Sequence, residues 1–178
     1  MRVLKYLKYI LMIVLFFYIV ILFLPKENFY FFLEHKLFKD NIVLSNESLK
    51  DVGGILQIND VFVTSAGDEI AQIDEITILP FILYNEVDVK NLHLAKRFEG
   101  ALPSKIDEAS FKATLFYPIK IWIKLKGDFG DIDGSYNVYS KTVRLVLKPQ
   151  ENFKQKYPLI YAKFQNIDGE LVYESSLK

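Results

Sequence analysis

The stretch GDFGDIDG, Gly127 to Gly134, sets Asp128, Asp131 and Asp133 among three glycines. Carboxylates clustered on flexible backbone are the raw material of a cation-binding loop, and Asp128-Phe129-Gly130 is also the tripeptide through which protein kinases hold magnesium. Kinase chemistry would further need a glycine-rich loop, a strand lysine partnered by a helical glutamate, and a catalytic-loop Asp and Asn upstream, none of which can be found here. A helix-loop-helix calcium site fares no better. Counted from Asp131, the fifth position is Ser135 and the twelfth is Thr142, where a glutamate is needed. The stretch therefore reads as a turn over Gly127 to Asp131, kept in water by its aspartates, and a strand from Ile132 to Tyr139 that Gly134 allows to bend.

Other chemistry is equally short of parts. His35 and His93 lie 58 residues apart and there is no cysteine, so a transition-metal site lacks ligands. No G-x-S-x-G elbow offers a serine nucleophile. The carboxylate pairs Asp74 with Glu75 and Asp107 with Glu108 fall where strands and loops alternate, and such pairs are ordinarily solvated. The expectation is a non-enzymatic protein with no catalytic, cofactor or metal residues.

The elements that would carry any site begin with a membrane signal. Arg2, Lys5 and Lys8 precede Tyr9 to Leu24, which is uncharged throughout. That run alone spans about 24 Å as a helix, and starting it at Val3 with the lysines snorkelling brings it to about 33 Å, enough for a hydrocarbon core of roughly 30 Å. A cleaved signal peptide would need small residues just after the apolar core, but LPKEN follows and the first alanine is Ala66. Residues 1–25 are therefore read as an uncleaved anchor marked by Val3, Tyr9, Phe16 and Leu24, with its basic end in the cytoplasm. Outside this segment 19 bases face 22 acids, so no basic surplus exists to meet nucleic acid.

Residues 26–40 place Phe29, Phe32, Leu33 and Leu37 at helical spacing and predict a short amphipathic helix. From Asn41 onward the period is two: Ile119, Ile121, Ile123 and Leu125 share a face opposite Lys120, Trp122, Lys124 and Lys126. Strands are predicted near 42–45, 54–64, 69–79, 86–95, 110–117, 119–126, 130–139, 142–148, 159–166 and 169–174. The alternation slips between Val89 and Leu92, which predicts a bulge or strand end near Asn91. A weak repeat, Phe98-Glu99-Gly100, Ile132-Asp133-Gly134 and Ile167-Asp168-Gly169, suggests one structural step used three times. Of the 27 aromatics, several fall in or beside strands, where ordinary core and an apolar channel are both open readings. Phe62, Trp122, Tyr136 and Phe164 are the candidate lining of such a channel.

This layout resembles the type II secretion system subunit N family (general secretion pathway protein N), within the AsmA-like group of inner-membrane proteins. The stretches that carry the likeness are LPKENFYFFLEHKLFKDNIVLS at 24–45, Ile-Ala-x-Ile-Asp-x-Ile at 70–76 (Ile70, Ala71, Ile73, Asp74 and Ile76), GDFGDIDGSYNVYSKTVRLVLKP at 127–149 and YAKFQNIDGELVYE at 161–174. The resemblance implies a mainly β fold: a transmembrane helix, a short amphipathic helix, then over 41–178 a curved, mostly antiparallel periplasmic sheet, groove-like or half-barrel. It implies a single-pass bacterial inner-membrane protein with most of its chain in the periplasm. It also implies partners among envelope or secretion-system proteins, or lipid acyl chains held by the sheet.

Overall fold

The computed structural model describes residues 2–23, 27–81 and 83–176. Two helices come first, α1 (Arg2–Phe23) and α2 (Glu27–Lys39), then nine strands: β1 (Ile42–Ser45), β2 (Ser48–Val52), β3 (Ile55–Ser65), β4 (Asp68–Pro80), β5 (Tyr84–Leu94), β6 (Lys105–Thr114), β7 (Lys120–Gly127), β8 (Gly130–Asn137) and β9 (Thr142–Pro149). Two one-turn helices, α3 (Phe153–Lys156) and α4 (Pro158–Tyr161), precede β10 (Gln165–Ile167) and β11 (Glu170–Ser176). The protein is mainly β. Its strands form one open antiparallel sheet in the order β1-β3-β4-β5-β6-β7-β8-β9-β11-β10, with β2 also paired to β3. Tight two-residue turns close three of the hairpins, at Gly53–Gly54, Ala66–Gly67 and Asp168–Gly169. Both central residues have positive φ in each, which matches the right-handed twist of the strands they join.

Residues paired across strands share a face, so the register sorts the side chains. One row runs Val87, Phe111, Ile123, Gly134, Leu145, Tyr173 and another Ile132, Leu147, Leu171, all on one side. The other side carries Glu75, Lys90, Glu108, Lys126, Asp131 and Lys148 as directly opposed neighbours on six successive strands, strictly alternating in charge. One face is thus apolar across the sheet and the other is a self-neutralising charge ladder.

A kink crosses four strands without exchanging the faces. Asp60, Asp74, Asn91 and Asp107 drop out of the ladder pairing in one row, and the apolar residues flanking them are three apart rather than two: Ile58 and Val61, Ile73 and Ile76, Val89 and Leu92, Ile106 and Ala109. Asp60 and Asn91 are left-handed, φ 59° and 50°, a conformation that short Asp and Asn side chains tolerate. The alternation slip at Asn91 is one member of this row.

Two cores cover parts of the apolar face. Tyr30 of α2 packs with Leu56, Ile58, Val61, Ile73 and Ile78, while Phe129, Phe153 and Tyr157 close over Leu147, with Ile106, Leu125, Ile132 and Leu171 alongside. Several expectations are corrected by this packing. The inward side of α2 is Tyr30, Leu33 and Leu37, with Phe32 exposed and the side chain of Phe29 outside the described residues. Residues 159–166 are mostly α4 and a turn, because Pro158 opens a helix there. The apolar-acidic-Gly triplets do three different jobs: Gly100 has φ 80° in a loop, Gly134 lies within β8, and Gly169 completes a turn.

Among the described residues no helix is long and apolar enough to cross a membrane. The described side chains of α1 are Lys5 to Phe17 with Ile19 and Val20, and all are exposed, Tyr9 and Phe16 included; Leu24 and the side chain of Val3 lie outside the described residues.

Candidate functional site

The acidic stretch is a hairpin turn tied down from inside. Gly127 and Gly130 are paired, so Asp128 and Phe129 alone make the link between β7 and β8. Gly130 has φ 111°, and a Cβ there would collide with the Lys148 carbonyl, so glycine is required. Phe129 is turned inward and 2% exposed. Asp128 accepts hydrogen bonds at Oδ2 from the Tyr157 hydroxyl (2.5 Å), Lys156 Nζ (2.9 Å) and Ser104 Oγ (3.0 Å). Burial acts to raise its pKa but is outweighed by these three donors, Lys156 first, so the carboxyl is held below the usual carboxylate range. Lys156 is correspondingly raised, chiefly by its bond to Asp128. Asp128 is therefore a structural staple joining β7, α3 and the loop before β6, not one of three solvated aspartates. Asp131 and Asp133 lie on the charged face, where Asp133 pairs with Lys148 at 3.4 Å.

No group of three or more His, Asp or Glu side chains among the described residues is placed to hold a metal ion. His35 and His93 are both exposed and on different elements, α2 and β5. Three of the sequence-adjacent carboxylates are drawn into ion pairs. Glu75 bonds Lys90 at 2.8 Å and is held below its ordinary pKa chiefly by that lysine, while Glu108 meets Lys126 and Asp107 meets Lys105.

The four aromatics proposed to line a channel do not share a face. Phe62 is paired with Gln72, which stands opposite His93 and Lys105 in turn, and Trp122 is paired with Lys112 and Ser135; both are on the charged side. Tyr136 is on the apolar side, opposite Ile121 and Val143, and Phe164 joins the second core, its ring 6.0 Å from that of Tyr173. Trp122 was already separable by parity, since it alternates with Ile121 and Ile123.

What the structure assembles instead is a bare quadrant of the apolar face. Phe111, Ala113, Ile121, Ile123, Tyr136, Val143 and Leu145 are half-buried, mutually in register over β6 to β9, and belong to neither core. Gly134 is its low point. A Cβ there would come within 2.5 Å of both the Arg144 carbonyl and Leu145 Cδ2, so Leu145 leans into the space a side chain would fill. Chemically the quadrant offers only hydrocarbon and one tyrosine ring, which suits an acyl chain or another apolar segment and no reaction.

The quadrant opens at one end of the sheet. Tyr84 pairs with Thr114, and Lys120 with Asn137 and Asn137 with Thr142, so the β4–β5, β6–β7 and β8–β9 tips finish level. Adjacent tips are joined by backbone bonds, Leu115 N–H to Leu83 O (3.0 Å) and Val138 N–H to Ile119 O (2.8 Å). These tips are apolar and exposed, to 78% at Phe116 and 89% at Tyr139. The strands expected over 110–117, 119–126 and 130–139 run into these tips, because their apolar residues continue the strand composition, but β6 ends at Thr114, β7 begins at Lys120 and β8 ends at Asn137. Turns ordinarily carry Gly, Asn or Asp, and 115–119 is Leu-Phe-Tyr-Pro-Ile. Comparison with protein-family models, curated proteins and solved structures finds no match for this chain.

Proposed function

We propose that the chain is a non-enzymatic, membrane-anchored envelope module whose bare apolar quadrant holds a lipid acyl chain, as the AsmA-like resemblance implies. The observation that carries the reading is the quadrant: seven apolar or aromatic positions in register that, among the described residues, have no helix laid over them, on a face whose other parts are covered by Tyr30 and by Phe129, Phe153 and Tyr157. The anchor is α1 with the uncharged residues that follow it. Its support is that the described side chains from Tyr6 to Phe17 are all exposed although only Lys8 among them is charged, and a helix apolar on every side finds its low-energy surroundings in lipid. The basic N-terminus would then be cytoplasmic and the sheet periplasmic.

The test is photocrosslinking of the full chain in vesicles made with a phospholipid that carries a photoactivatable acyl chain. Adducts on β6 to β9 are expected, and Ile123→Glu should abolish them while adducts on α1 persist. Adducts confined to α1 in the unsubstituted chain would sink the acyl-chain reading. A second reading, an accessory or scaffold in type II secretion, draws on the open edges of the sheet, β1 with β2 at one side and the three-residue β10 at the other, which can accept a partner's strand. Crosslinks from Val43 or Asn166 to secretion-channel proteins, with no lipid adduct on the sheet, would favour it.

A further inference from the structure

The geometry points to a second membrane contact. We propose that the level hairpin tips, Leu83, Leu115, Phe116, Tyr117, Val138 and Tyr139, form a ledge that sits in the headgroup region of the bilayer holding α1, so that the sheet stands end-on upon the membrane. The proposal rests on the anchor reading of α1.

The direction of α2 is the first argument. Its C-terminal end is fixed at the far end of the sheet, where Asn41 follows it and the Asn41 carbonyl accepts from Ala66 N–H in the β3–β4 turn (3.4 Å). Running back from Lys39, α2 is about 20 Å long. Tyr30 joins the core of Leu56, Ile58 and Val61, which lies on the tip side of the β3–β4 turn, so the helix runs from that turn toward the tip end. The N-terminal end of α2 is therefore its end nearer the apolar tips, and a membrane that holds α1 would lie on that side.

Composition is the second argument, and it separates the two ends of the sheet. The turns at the far end carry Asp40, Asp68, Glu99, Asp128, Glu151 and Asp168, as water-facing turns do. At the tip end the segments from Phe81 to Leu83, Leu115 to Lys120 and Val138 to Lys141 contain no acid, and their only charges are Lys120 and Lys141. Aromatic rings with a polar edge, beside lysines, are what an interface of anionic headgroups over hydrocarbon accommodates. Hairpin tips lie two strands apart, so neighbouring tips are about 10 Å from each other and the three span about 20 Å, a line of contact rather than a point. The row Ala113, Ile121, Tyr136, Val143 lies directly inside the tips, so the bare quadrant would open onto the bilayer itself.

Trp122, the single tryptophan, makes the contact measurable, because its ring lies 5.9 Å from that of Tyr117 yet on the charged face. The full chain is reconstituted into phosphatidylcholine and phosphatidylglycerol vesicles containing phospholipid spin-labelled either high or low on the acyl chain. The expected result is flotation with the vesicles and a roughly twofold loss of Trp122 emission with the shallow label, less with the deep one, as for a group at the interface. A Phe116→Asp, Tyr139→Asp double variant should still float through α1 but recover most of the emission. Tyr139→Ser, at the most exposed tip position, gives a partial recovery with no bearing on folding. A chain that floats with Trp122 unquenched, or quenching unchanged in the double variant, overturns the ledge and leaves the anchor standing. A chain that does not float overturns both.

Discussion

The two covered parts of the apolar face are closed by different means. Over β3 to β5 a helix adjoining the sheet lays one aromatic, Tyr30, on five aliphatic strand residues, and burial, followed by the neighbouring Glu47 carboxylate, pushes the Tyr30 hydroxyl pKa well above its ordinary value. Over β7 to β11 the cover is made of short segments that could not hold themselves in place: a two-residue turn bearing Phe129, and two single-turn helices, the first bearing Phe153, with Tyr157 at the junction between them. A helix of one turn has no stability of its own, so the second cover needs a fastening that the first does not. Asp128 supplies it. The contrast teaches that hydrocarbon on this sheet is covered wherever covering residues exist, even at the cost of a partly buried carboxylate, and that the quadrant over β6 to β9 is the exception.

The largest expected effect breaks the contrast outright. Phe129→Ala and Tyr30→Ala should each lower unfolding free energy by about 3–5 kcal/mol, and since the two cores share no residue the double variant should be additive to within about 0.5 kcal/mol. Urea denaturation followed by circular dichroism measures all three, and a large coupling energy would mean that the covers are one core. A smaller effect tests the fastening. Asp128→Asn should cost about 2 kcal/mol at neutral pH, since it exchanges a charged acceptor of three hydrogen bonds for an amide. The folded-state pKa of Asp128 is depressed, so its contribution is present above the unfolded carboxylate pKa and is lost as pH falls through the folded one. Variant and parent should therefore converge in stability under acid, and a difference constant across pH would reject the ionised staple. The smallest effect lies on the other face, where Lys90→Glu opposes like charges to Glu75 and Glu108 and should cost about 1 kcal/mol, less at high salt. Thermal melts at low and high ionic strength would detect it.

Much of the sheet was legible beforehand because strand alternation is local. Ile119 to Lys126 announced both faces of β7, and the slip after Val89 announced the kink at Asn91. The other members of that row, Asp60, Asp74 and Asp107, interrupt their strands in the same way, but only the register shows that the interruptions coincide. Strand β2 was missed because Ser48 to Val52 holds two charges and lacks alternation. The segment 159–166 reads as a strand because Ile160 and Tyr161 are β-formers, but Pro158 before them has the fixed φ that suits the first position of a helix. The role of Asp128 was hidden for a different reason: its partners Ser104 and Lys156 are 24 and 28 residues away, and no local pattern carries such a distance. The charge ladder is hidden likewise, since alternation across strands leaves no mark along any one of them.

The strand order has one more consequence, which concerns time rather than space. From β3 to β8 every strand pairs with its immediate predecessor and successor in the chain. As the polypeptide emerges from its N-terminus, each new strand finds its partner already made, one turn away or, between β5 and β6, one loop over 95–104 away. Loop-closure entropy is met in small steps, and the growing edge is left unpaired for no longer than it takes to synthesise one more strand. There are two departures: β1, which pairs with β3 and not with β2, and β10, which must wait for β11 to come between it and β9. The last part of the sheet to set is therefore the part that the Asp128 staple and its two short helices hold in place.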